Sequence, residues 1–173
     1  MYEGNFPHKR YKHTFNFLKT HIPINTKILD LGIKNPFTEI MIKNGYQVQN
    51  TIGEDLDLDT STIESSNADV ITAFEIFEHL LSPFTVLNSI KANKLVASVP
   101  LKLWFAPAYR SKTDTWDRHY HEFEDWQFDW LLEKTGWKIK AKQKWTNPTK
   151  KIGIRPILRW FTPRYYIVYA ERD

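Results

Sequence analysis

The chain of 173 residues contains no cysteine, so neither a disulfide framework nor a thiolate metal site is available to it. Glycine is scarce, with six residues in all, and no Gly-x-Gly-x-x-Gly string occurs among them. The remaining length also leaves no room for a second mononucleotide-binding half, which sets aside a nicotinamide-dependent oxidoreductase. No apolar run approaches the roughly 18 residues that a membrane span needs. Residues 1–12 carry charge but no apolar core of a signal peptide. The expectation is a cytoplasmic protein with no membrane partner.

What is present suits a soluble globular chain. Hydrophobic residues make up 42% and charged residues 25%, enough to build a core and to solvate its surface. The net charge of +4 is unevenly spread. Between Lys134 and Arg172 eleven Lys or Arg face a single acid, Glu171, whereas residues 54–69 hold six acids and no base. The basic stretch reads first as a solvated face, with a nucleic-acid surface as the alternative.

Strand and helix signals alternate, which argues for an α/β protein with a parallel sheet covered on both faces. Tyr11, Phe15 and Leu18 space a helix over residues 8–20. Residues 27–31 form a short buried strand closed by Gly32. Asn35 then caps a helix with Pro36 at its first position and Gly45 as its stop. Further strands are expected at 46–51, 69–74 and 94–99. Ser82 and Pro83 open a helix between the last two. After Pro100 comes a connection of roughly twenty residues rich in Trp, Tyr and Pro, uncommonly long for a loop without a task. A helix over 124–135, a strand over 137–145, a helical turn or two over 155–161 and a strand over 164–171 complete the chain.

Four strings in this order resemble the class I, Rossmann-like family of S-adenosylmethionine-dependent methyltransferases. Ile28-Leu29-Asp30-Leu31-Gly32 looks like the family's first motif. Residues 68–80, which end Phe74-Glu75-Ile76-Phe77-Glu78-His79-Leu80, are similar to its fourth strand and the Glu-His-Leu that often follows. His119-Tyr120-His121-Glu122-Phe123, with Leu131-Leu132 and Gly136-Trp137 after it, looks like the pair of elements beyond the fifth strand. Residues 163–169 resemble the closing antiparallel strand. The resemblance covers nearly the whole chain. It implies one methyltransferase-like domain over 1–173: a three-layer sheet with an antiparallel last strand, compacted after the second strand.

It also implies a cofactor, S-adenosyl-L-methionine, in the crevice beyond the carboxyl ends of the strands. Asp30 would hold the methionyl ammonium, and Gly32 would let backbone approach because it lacks a Cβ. The helix starting near Pro36 would turn its positive end toward the carboxylate. Phe74, Glu75 and Glu78 would offer an aromatic face and carboxylates to the positively charged sulfur.

Two departures change the assignment. Where the family carries two further glycines, this chain has Lys34 and Pro36. We read this as a rebuilt loop in which Lys34 reaches the methionyl carboxylate and Asn35 belongs to the cofactor-binding segment, the alternative being an impaired pocket. The second strand ends without the acid that normally accepts the ribose hydroxyls, and Glu54 and Asp55 in the short connection are the candidates to replace it. Asp57 and Asp59 read as solvated.

Methyl transfer to an oxygen or nitrogen depends mainly on in-line positioning, with a base where the acceptor must lose a proton. His79, His119 and His121 are the candidate bases, beneath a loop holding Trp104, Tyr109 and Trp116. His119 and His121 alternate in a spacing that mimics metal ligation, but no third ligand is evident and no metal site is read. The acceptor is expected to be a small molecule. The alternative is a non-catalytic module of the same fold that binds a partner or nucleic acid through its basic C-terminal third. Oligomeric state is not legible.

Overall fold

The computed structural model describes residues 7–149 and 152–173. Its elements run α1 (His8–His21), β1 (Lys27–Asp30), α2 (Pro36–Lys43), β2 (Gln47–Asn50), α3 (Ser61–Glu64), β3 (Val70–Phe74), a 3₁₀ turn (Phe77–His79), α4 (Pro83–Ser89), β4 (Lys94–Pro100), α5 (Asp125–Lys134), β5 (Lys138–Thr146), α6 (Ile154–Phe161) and β6 (Pro163–Glu171). The strands form one six-stranded sheet in the order β2-β1-β3-β4-β6-β5. The first four are parallel, and β6 runs antiparallel to both β4 and β5.

Alternation along the strands divides the apolar residues between two cores. Ile28, Val70, Val96 and Ile167 face one side, against Phe17 and Leu18 of α1 and Phe37 and Met41 of α2. Their neighbours Leu29, Ile71, Leu95 and Val168 face the other, against Val86 and Leu87 of α4 and Phe128 and Leu132 of α5. Both faces of the sheet are thus covered, as a parallel sheet requires, and the architecture is the expected three-layer α/β one.

Local chemistry sets the element ends. The Asn35 side chain accepts from the N–H groups of Phe37 and Thr38, and Thr38 Oγ1 accepts from the Asn35 N–H. This reciprocal cap, with Pro36 at the first turn, starts α2 as the sequence predicts. Gly45, at φ +92°, ends it.

Ser82 does not cap α4 with its own side chain. Instead both oxygens of Asp57 reach across, accepting from Leu81 N at 2.7 Å and Ser82 N at 2.8 Å. Asp57, expected in a solvated loop, therefore ties the short β2–β3 connection to the start of α4. That connection holds only the single turn of α3. No strand intervenes among the described residues, and β2 is left as an edge of the sheet.

The lysines of β5 are matched by acids. Lys138 pairs with Asp173, Lys140 with Glu171, Lys142 with Asp129 and Lys144 with Asp125. Four of the eleven bases in the C-terminal third are therefore matched by acids within the chain. No helix of the described residues is long and apolar enough to cross a membrane.

Candidate active site

In this sheet β1 sends the chain outward to β2 and then back across to β3, so strand order reverses between β1 and β3. The crevice beyond their carboxyl ends is where open α/β sheets bind ligands. The segments after Asp30, Asn50 and Phe74 meet there.

Asp30 closes β1 and is buried. Its carboxylate accepts from Thr72 Oγ1 at 2.7 Å, Asn50 Nδ2 at 3.1 Å and Thr38 Oγ1 at 3.4 Å. Burial raises its pKa to about 6, against the lowering effect of those three neutral donors. Gly32 follows at φ +102°, a conformation that favours glycine. Its N–H donates to Thr51 Oγ1 at 2.7 Å, and its carbonyl accepts from Asn50 Nδ2 at 3.1 Å. The space a Cβ would take on Gly32 is bounded by Ile76 Cδ1 at 3.2 Å. Lys34 extends to Glu39, 2.6 Å away, and Asn35 spends its side-chain oxygen on the α2 cap.

The turn after β2 lies against this loop, since a Cβ on Gly53 would meet Ile33 Cγ2 at 3.1 Å. Glu54 folds back so that its Oε2 accepts from Ile52 N at 2.8 Å. Its other oxygen, Oε1, is buried with no hydrogen-bond partner. Asp55 remains exposed and accepts from Asp57 N.

At the end of β3, Phe74 packs edge-on against Phe37 with ring centres 5.1 Å apart. Glu75 then adopts φ +59°, a left-handed backbone that is uncommon without glycine and that clusters at functional sites. The twist is held by Glu75 N donating to Ser98 O and by Ser98 Oγ donating to the Glu75 carboxylate at 3.0 Å. Arg10 of α1 stands 3.6 Å from Glu75 Oε2. Burial raises the Glu75 pKa, opposed chiefly by Arg10. Glu78, 1% exposed, is pushed well above the carboxylate range by burial and then by the charge of Glu75.

The three candidate histidines separate into two groups. His79 and His119 meet edge-to-face with ring centres 4.7 Å apart, and Tyr109 packs on His119 at 4.6 Å. Burial, then His79, lowers the His119 pKa to about 4. His121 points elsewhere: Nε2 lies 3.4 Å from the Leu81 carbonyl, and the ring stacks on Phe123. Sequence reasoning named His119 and His121 as the pair suggestive of ligation, whereas the fold joins His119 to His79 and Glu78. Arg10 and Ser98 were not named as site residues, because their contacts with Glu75 depend on α1 and β4 converging on one edge.

Trp104 and Trp116 are 74% and 69% exposed, while Trp126 and Trp130 pack on each other at 4.8 Å.

No family model matches this chain, and no curated protein matches it in sequence. Solved structures do match its fold. One is the 1,6-didemethyltoxoflavin-N1-methyltransferase of Burkholderia thailandensis, determined with 1,6-didemethyltoxoflavin and S-adenosylhomocysteine. It has a TM-score of 0.66 and 15% identity over 94% of this chain and 78% of that one. An S-adenosylmethionine-dependent methyltransferase from Archaeoglobus fulgidus is similar, with a TM-score of 0.54 and 15% identity over 94% of each chain. The cyclase SpnF also matches, with a TM-score of 0.58 and 12% identity over 94% of this chain and 81% of that one. The fold is thus the Rossmann-like one that S-adenosylmethionine-dependent methyltransferases use. SpnF is a reminder that it can carry other chemistry.

Proposed function

We propose that this protein binds S-adenosyl-L-methionine and transfers its methyl group to an oxygen or nitrogen of a small-molecule acceptor. The observation that carries the reading is Glu54 Oε1, a buried carboxylate oxygen without a partner, on the turn packed against the Gly32 loop. A ribose hydroxyl is the kind of donor such an oxygen lacks, and Glu54 has its second oxygen already anchored by Ile52 N.

In this assignment Glu54 takes the ribose, with Asp55 beside it. Asp30, Gly32, Lys34 and Asn35 border the methionyl group, and Phe74 and Glu75 stand beside the sulfur. When bound, S-adenosylmethionine would supply an electrophilic methyl carbon to the acceptor's lone pair, with S-adenosylhomocysteine as the leaving group. Glu75, held in its left-handed turn by Ser98 and Arg10, offers negative charge to the sulfonium. An acceptor proton would pass to the imidazole pair of His79 and His119.

A second reading is a module of the same fold that binds a partner without transferring methyl groups. Ile76 over Gly32, the Lys34–Glu39 pair and the Asn35 cap favour it, because all three occupy the methionyl end. The ion-paired lysines of β5 count against a nucleic-acid version. Calorimetry with S-adenosylhomocysteine separates the readings. Binding of one molecule per chain, weakened in Glu54→Gln, supports the transferase, whereas absence of saturable binding retires it.

A further inference from the structure

We propose that Glu78, His79 and His119 bind a divalent transition-metal ion of the zinc and cobalt class at the edge of the crevice. One donor atom from each residue lies within 4.8 Å of the others. Ligands at about 2.0–2.2 Å from a tetrahedral metal stand roughly 3.3–3.6 Å apart, so the set closes by a contraction of up to about 1.5 Å.

Three independent features point to a cation there. Glu78 is 1% exposed, and its Oε2 has no hydrogen-bond partner. Buried carboxylates are ordinarily paired or coordinated. His79 Nδ1 lies 3.0 Å from the Arg118 carbonyl, which only accepts, so the ring proton sits on Nδ1. Nε2, the ring's other nitrogen, faces Glu78 Oε1 at 3.6 Å. A proton shared between them or a bound cation satisfies such a pair, and a divalent ion would also meet the unpartnered Glu78 Oε2. A backbone carbonyl that fixes the tautomer of a ligating imidazole is the usual outer support of a metal site.

The third feature is how the two segments are joined. The carbonyl of Glu78 accepts from both Tyr120 N and His121 N, at 2.8 and 3.2 Å. This holds His119 beside a turn some forty residues away in sequence. Arg10 is engaged with Glu75, and Arg164 donates to the Leu101 carbonyl at 2.6 Å. Two imidazoles and one carboxylate suit zinc, cobalt or iron(II) and leave a position open for water or an acceptor oxygen. As ligands the imidazoles would not serve as proton acceptors, so the two roles are alternatives.

Metal binding is read without S-adenosylmethionine, so it stands or falls apart from methyl transfer. The full chain, stripped with chelator and dialysed, is titrated with Co²⁺ by visible absorption and with Zn²⁺ by calorimetry. One ion per chain is expected, with the absorption bands of four- or five-coordinate cobalt and a rise in melting temperature. His119→Ala and Glu78→Gln should each weaken binding by at least about tenfold, the lower end of what even outer-shell losses cost. His121→Ala should bind as the wild type does. If Glu78→Gln fails to fold, His119→Ala decides, with its fold checked by circular dichroism. No saturable cobalt spectrum in the wild type, undiminished binding in His119→Ala, or uptake of Mg²⁺ without Co²⁺ or Zn²⁺ would overturn the proposal.

Discussion

Replacing Asp30 by asparagine should stabilise the protein at neutral pH while impairing cofactor binding. Burial raises the Asp30 pKa from 3.8 to about 6. At about 1.4 kcal/mol per tenfold change in proton affinity, that difference corresponds to about 3 kcal/mol. The sign follows from proton linkage. Below pH 3.8 the side chain is protonated in both folded and unfolded chains and contributes nothing. Between 3.8 and about 6 the unfolded chain releases its proton first, so stability falls as pH rises. Above about 6 both forms are ionised and the full penalty persists.

The amide that Asp30→Asn introduces has nearly the shape of the carboxyl it replaces. Its oxygen would accept from Asn50 and Thr38, and its NH₂ would donate to Thr72 Oγ1, since a hydroxyl serves in either sense. Denaturant unfolding at pH 8 should therefore find Asp30→Asn more stable by up to about 3 kcal/mol, or about 6–12 °C in melting temperature for a chain of this size. At pH 3.5 the two proteins should be nearly equal. A folded Asp30→Asn protein no more stable than wild type at pH 8 would refute this account. The hydrogen bonds to Thr72, Asn50 and Thr38 would then outweigh burial.

Other outcomes follow from the same contacts. Glu54→Gln should lose about 1.5–3 kcal/mol of S-adenosylhomocysteine affinity, the worth of a hydrogen bond to a charged group, read by calorimetry. Asp57→Ala leaves Leu81 N and Ser82 N, just ahead of α4, without their acceptor and should cost about 1–3 kcal/mol in urea unfolding. His119, with its pKa lowered to about 4, should keep a neutral ring in NMR titration from pH 8 down to about 5. Neutral in both states above about 6.5, it should cost the fold stability progressively as pH falls from about 6.5 to about 4, because the unfolded chain takes up the proton first.

Much of the fold was legible in residue order, because its signals are local. Asn35, Pro36 and Gly45 mark both ends of α2 by backbone chemistry alone. The alternation of Ile28 and Leu29, or Val70 and Ile71, specifies a strand with two buried faces whatever packs on it. The strings around Asp30–Gly32 and Glu75–His79 mark the ends of two such strands, and the sheet's order of reversal makes those ends adjacent. The partners across the crevice were not legible. That Asp57 would cap α4, Lys34 turn to Glu39, Ile76 cover Gly32, and Glu78 and His79 meet His119 rather than leave it with His121 depends on distances between segments far apart in sequence. Side-chain contacts of that kind exist only once the sheet has closed and burial has decided which charged groups lose their water. The sequence by itself determined the strands and both ends of α2. The tertiary structure alone decided which residues face one another, because burial and pairing are properties of the packed chain.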